Sequence, residues 1–134
     1  VSFEISSEAP RFCNVWPSDI TFSLNGVILG TWTSPGDYGD RRGKYNPSWW
    51  FSFLNQYGLL KKLTITPEGT FLDTEKLSDV STRQLALTDQ SVMKLRFSVL
   101  PGAEHPGGCT LFGAGFGDYN QHLRIPIGYH PQNI

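Results

Sequence analysis

Cysteine is scarce in this sequence: Cys13 and Cys109 are the only two in 134 residues. That excludes the dense disulfide framework of a small secreted scaffold, and two free thiols in a reducing compartment are the expected state. Charge is sparse too, at 17% of residues with a formal net charge of −1. Such a balance argues against this chain alone holding a phosphate backbone. No apolar run approaches the roughly 20 residues a membrane-crossing helix requires. There is no signal peptide, and the chain starts at Val1 rather than methionine, as expected of an excised domain or a processed form. The three histidines, at 105, 122 and 130, lack metal-site spacing, and no Asp-x-Asp-x-Asp-Gly loop is present. No resident metal or cofactor is therefore expected, although calcium on scattered carboxylates stays open. A Gly-x-Ser-x-Gly elbow and a His-Glu-x-x-His pair are also missing.

Aromatic residues, by contrast, are plentiful at 13%, and the length suits one domain, residues 1–134, with one closed core. Most of the chain alternates with the period of a strand. Val1, Phe3 and Ile5 share one face, against Ser2, Glu4 and Ser6 on the polar one. Asp19 to Thr33 carries the sharpest local signal, because Asn25-Gly26 tolerates the positive φ angles of a type I′ turn. A two-residue turn there pairs Leu24 with Val27, Phe22 with Leu29 and Ile20 with Thr31, and leaves Ile28 and Trp32 on the opposite face. Further strands are expected over Tyr57 to Thr66, Thr70 to Asp73, Ser91 to Leu100 and Cys109 to Phe112, with Leu123, Ile125 and Ile127 closing the pattern. Leu77 to Thr88 reads either as a helical turn capped by Ser78 or Ser81 or as an irregular connection. His130 to Asn133 reads as a tail. Short strands, irregular loops and almost no helical periodicity predict an all-β fold, an antiparallel β-sandwich of jelly-roll-like form.

Two irregular stretches interrupt the strands. Gly30 to Trp50, GTWTSPGDYGDRRGKYNPSWW, gathers five tyrosines and tryptophans among glycines, prolines and charges. A loop of about twenty residues between strands is often functional. Trp32, Tyr38, Tyr45 and Trp50 supply candidate apolar walls, and Asp37 and Asp40 candidate polar contacts. Trp49, Phe51 and Phe53 alternate and are expected in the core. The second stretch, Gly113 to Gln121, is glycine-rich but continues into a strand-like run rather than a helix, so phosphate binding is not expected. Its Asp118, Asn120 and Gln121 offer hydrogen bonds to a polar ligand; a plain glycine corner is the competing reading. The tripeptide Gly-Asp-Tyr occurs in both stretches, at 36–38 and 117–119. A carboxylate pair such as Asp37 with Asp118 would act on a glycosidic bond only at the required separation.

With GTWTSPGDYGDRRGKYNPSWW, QYGLLKKLTI, EGTFLD and FGAGFGDYNQ taken together, the chain resembles the C-terminal, non-DNA-binding domain of bacterial ArsR-like winged-helix transcriptional regulators. The resemblance spans Val1 to Tyr129. It implies a cytoplasmic effector domain, with DNA contacted only through an N-terminal winged-helix part outside this chain. It assigns no catalytic residue. The expectation is a non-enzymatic sensor of a carbohydrate or similar small polar ligand. A protein-interaction or homodimerisation module is the first alternative and a glycoside-acting enzyme the second.

Overall fold

A computed structural model describes residues 1–87 and 92–128. Eight strands and one short helix follow in the order β1 (Ser2–Ser6), β2 (Ser18–Leu24), β3 (Val27–Ser34), β4 (Leu59–Thr66), β5 (Gly69–Leu72), β6 (Glu75–Ser78), α1 (Thr82–Leu85), β7 (Leu95–Ser98) and β8 (Thr110–Phe112). They form two antiparallel sheets, one of order β6-β5-β4-β1-β8 and one of order β3-β2-β7. The fold is all-β, a sandwich as the alternating pattern predicts.

The core forms where the apolar rows of the two sheets meet. Phe3 and Ile5 of β1 lie against Ile20, Phe22 and Leu24 of β2, with Leu29, Leu63, Leu72 and Leu85 completing the cluster. Phe3, Phe22 and Phe97 lock the layers together with ring centroids 5.0 to 5.8 Å apart, within the range where tilted and edge-to-face pairs gain beyond their burial. Residues 101–108 run beside β2, where Asp19 and His105 exchange bonds: each backbone amide reaches the other residue, at 2.8 and 3.0 Å.

The hairpin departs from its expected register in one instructive way. Asn25 and Gly26 adopt φ angles of 50° and 80°, and Leu24 faces Val27 as anticipated. Beyond Ser23–Ile28 the register shifts: Phe22 faces Gly30 rather than Leu29, and Ile20 faces Trp32 rather than Thr31. Leu29 is the extra residue of a β-bulge, and one extra residue reverses every later side chain. Leu29 stays buried, as in the unshifted register, while Trp32 turns inward against the core instead of outward with Ile28.

Other expectations need correction. Glu4, on the nominally polar face of β1, is 1% exposed. Strand β6 was not anticipated, and the turn after it resolves the ambiguity in favour of Ser81, whose hydroxyl accepts from the Gln84 amide at 3.2 Å. The strand expected over Ser91 to Leu100 shrinks to β7, its first residue lying outside the described set. Residues 123–127 form no strand: Arg124 makes an isolated bridge to Ser2, and Ile125 and Ile127 are exposed. The expected tail at 130–133 also lies outside the described residues. Among those described, no helix is long and apolar enough to cross a membrane.

Candidate functional site

The two irregular stretches meet in space. The Tyr45 amide donates to the Gly117 carbonyl at 2.8 Å, and the Gly117 amide returns to Asn46 Oδ1 at 2.6 Å. The Lys44 amide and the Arg41 guanidinium both reach the Asp118 carboxylate, Arg41 in bidentate fashion at 2.9 and 2.6 Å. A fork of that geometry is the strong form of ion pair, and it holds the Asp118 carboxyl below the ordinary aspartate value.

A single buried amide organises the aromatic loop. Gln56 is 1% exposed. Its Nε2 donates to the carbonyls of Phe51 and Leu54 at 2.9 and 2.8 Å, while its Oε1 accepts from Asn46 Nδ2 at 3.0 Å. The breaker-rich segment thus satisfies its inner polar groups through side chains, as buried backbone must when no ladder is available.

Glu4 does the same for the glycine loop. Its carboxylate, projecting from β1, accepts the backbone amides of Gly58 at 2.8 Å, Asp118 at 2.9 Å and Tyr119 at 3.1 Å. Burial raises its pKa, and the bonds from Asp118, Gly58 and Tyr119 oppose that rise. Gly117 must be glycine here, because φ is +71° and a Cβ would stand 2.4 Å from the Glu4 oxygens.

Beside this clamp lies a stack. The Tyr38 and Tyr57 rings are parallel within 13° at 5.2 Å, and the Arg41 guanidinium covers Tyr57 at 3.9 Å. The Tyr57 hydroxyl donates to Asp40, as does Asn14 Nδ2 at 2.8 Å. Burial, reinforced by that bond and the Asp40 charge, pushes the Tyr57 phenol up to about 12.

Surface hollows open elsewhere, one of about 240 Å³ being lined by Asp19, Thr21, Thr31 and residues 100–103. A cleft of about 320 Å³ lies between β8 and the two loops, lined by Glu8, Trp50, Asn55, Thr110, Leu111, Phe112, Gly113 and Phe116. Trp50 and Phe116 come from different loops and meet at 80° with centroids 5.4 Å apart. Trp50 is held by its indole N–H, which donates to the Asn55 carbonyl at 2.8 Å, and Asn55 Nδ2 donates to Thr110 Oγ1 at 3.2 Å. Trp49 packs edge-on against both rings at 5.9 Å.

Of the candidate residues, then, Trp50 lines the cleft and the rest do not. Trp32 belongs to the core flank, with Lys61 Nζ 5.2 Å from its ring centre. Asp37 is wholly buried: one oxygen accepts from the Ala9 amide at 2.8 Å and the other has no partner. Burial raises its pKa to about 6, the Ala9 bond opposing and the Glu8 charge adding to the rise. Tyr38 and Asp40 sit in the stack, Tyr45 beside Lys44, and Asp118 in the ion pair. Asn120 Oδ1 accepts from the Gly115 amide, and Gln121 Nε2 donates to Ser2 Oγ at 3.4 Å. The two Gly-Asp-Tyr copies play different parts, one aspartate buried and the other ion-paired.

Trp49, Phe51 and Phe53 are not core residues as expected but are 66%, 61% and 50% exposed. Their alternation reflects no strand, since residues 51–54 form turns. Glu4, Glu8, Asn55, Gln56 and Phe116 are not among the sequence candidates, and only Glu4 carries a signal: an acid inside a strand, β1, that is paired on both sides. No group of three metal-ligating side chains occurs among the described residues. Compared with protein-family models, curated proteins and solved structures, the chain matches none.

Proposed function

We propose that this chain is a ligand-sensing domain of a bacterial transcriptional regulator, binding a small molecule without transforming it. The observation that carries the reading is the open, shallow hollow of about 320 Å³ at which the two loops converge. A ligand there touches Trp50 from one loop and Gly113 and Phe116 from the other. Its binding energy therefore bears on the junction that Gln56, Asn46 and Glu4 hold together, which is what a sensor requires. The regulator assignment rests on the resemblance to ArsR-like proteins, and DNA contact belongs to a winged-helix part outside this chain. A non-catalytic role is supported by the engagement of Asp37 and Asp118, one buried and one ion-paired.

The test is a thermal-shift screen of the chain against sugars, polyols, nucleosides and amines, repeated with Trp50→Leu. The expected result is a saturable stabilisation that Trp50→Leu removes; no stabilisation by any class refutes the sensing role. Exposed Trp49, Phe51 and Phe53 favour a second reading, in which this surface docks on another protein or a second copy of this chain. Sedimentation showing a dimer that Phe51→Ala dissociates would select it.

A further inference from the structure

Within the sensing reading, on which this inference rests, the cleft specifies the chemical class of its ligand. Its lining contains one charged side chain, Glu8, and no lysine, arginine or histidine. Among the described residues the Glu8 carboxylate makes no hydrogen bond or ion pair; only its backbone amide is engaged, with the Gly107 carbonyl. Two of the donors at the cleft are engaged. Trp50 Nε1 is committed to the Asn55 carbonyl, and Asn55 Nδ2 to Thr110 Oγ1. Asn55 Oδ1 and the carboxylate of the exposed Glu8 remain as acceptors, beside the second Asn55 N–H and the Thr110 hydroxyl as donors, and the one formal charge among these groups is negative.

The aromatic walls point the same way. Trp50 and Phe116 stand at 80° and form an aromatic corner in the same lining as Glu8. Rings at a corner offer a cation electron-rich faces, and aromatic surfaces combined with a carboxylate are the recurring chemistry of organic-ammonium recognition. An anionic ligand would meet Glu8 with no compensating cation.

We infer that the cleft between β8 and the two loops binds a small organic cation, an alkylammonium or alkylguanidinium, with its charge on Glu8 and its carbon body against Trp50 and Phe116.

The experiment is an amide and indole NMR titration of the chain with butylammonium, tetramethylammonium and butylguanidinium, set against methyl glucoside and acetate. The expected result is saturable movement of the Trp50 indole, Gly113 and Phe116 resonances with at least one cation and with neither comparator. Glu8→Gln should weaken that binding by about tenfold while leaving the spectrum folded, and added salt should weaken it as well. Phe116→Leu serves as a second variant in case Trp50→Leu disturbs the loop. Saturation by methyl glucoside at the same resonances, with no cation binding, overturns the cation assignment and leaves the sensing role standing. Cation binding indifferent to Glu8→Gln also overturns it. Binding by neither class to the folded chain sinks the ligand class, and the broader screen above then decides the sensing role separately.

Discussion

Replacing Glu4 with glutamine tests whether one buried carboxylate holds the glycine loop in place. The substitution keeps the length of the side chain and converts one acceptor oxygen into a donor. Oε2 accepts from Gly58 and Asp118, and Oε1 from Asp118 and Tyr119. Whichever oxygen is lost, the amide of Gly58 or of Tyr119 is left facing another N–H group. A stranded buried donor costs about 1–3 kcal/mol, and relief from burying a charge offsets part of that. A net loss of about 2 kcal/mol is expected. Unfolding entropy of ~2.1 cal/mol/K per residue makes each kcal/mol worth ~3.5 °C in a chain of 134 residues, so Tm should fall by about 7 °C. Hydrogen exchange adds the local readout, since the amide that lost its acceptor should exchange faster while the β2–β3 amides keep their protection. A melting point within about 1 °C of wild type, with both amides still protected, would show that the carboxylate is not what anchors the loop.

Gly117→Ala should be worse still, by about 3 kcal/mol or more, because it combines a strained positive φ with a clash against Glu4; Gly115→Ala, strained by its φ but with open space around the added Cβ, is the control in the same denaturant titration. Asp37 is protonated more readily in the fold than in the unfolded chain, so its contribution to stability is present below about pH 4 and is lost as pH rises through about 6. Asp37→Asn should therefore melt above wild type at pH 7–8, by an amount equivalent to up to ~3 kcal/mol, with the gap closing toward pH 4; a gap independent of pH would contradict the burial argument. Burial, with the Glu8 charge adding to it, pushes the Cys109 thiol up to about 11, so at pH 8 a disulfide reagent should modify Cys13 well before Cys109. Equal rates by mass spectrometry would refute that difference.

How far the fold could be read from the chain depended on how local the cause was. The Asn25-Gly26 turn and the alternation of β1, β2 and β4 announce themselves because period and turn chemistry act over a few residues. The bulge at Leu29 did not, since a single Ile-Leu-Gly run is compatible with either register until β2 and the opposing sheet select one. Trp32 was misplaced for that reason alone. The apparent closing strand at 123–127 meets a sheet only at the Ser2–Arg124 bridge, so its apolar period builds no ladder.

The candidate site divides in the same way. Composition located both loops, because dense aromatics and glycines are properties of the sequence itself. What it could not separate was a polar side chain that faces a ligand from one that ties its own loop. Asp118 looked available and is consumed by Arg41; Glu4 looked solvated and accepts three amides. The all-β class, the hairpin turn and the positions of the two irregular loops were thus settled by short-range preference along the chain. Which carboxylates are free, which rings are exposed and where the hollow opens were settled only by long-range packing, since hydrogen-bond partners 74 to 115 positions apart meet nowhere but in the folded state.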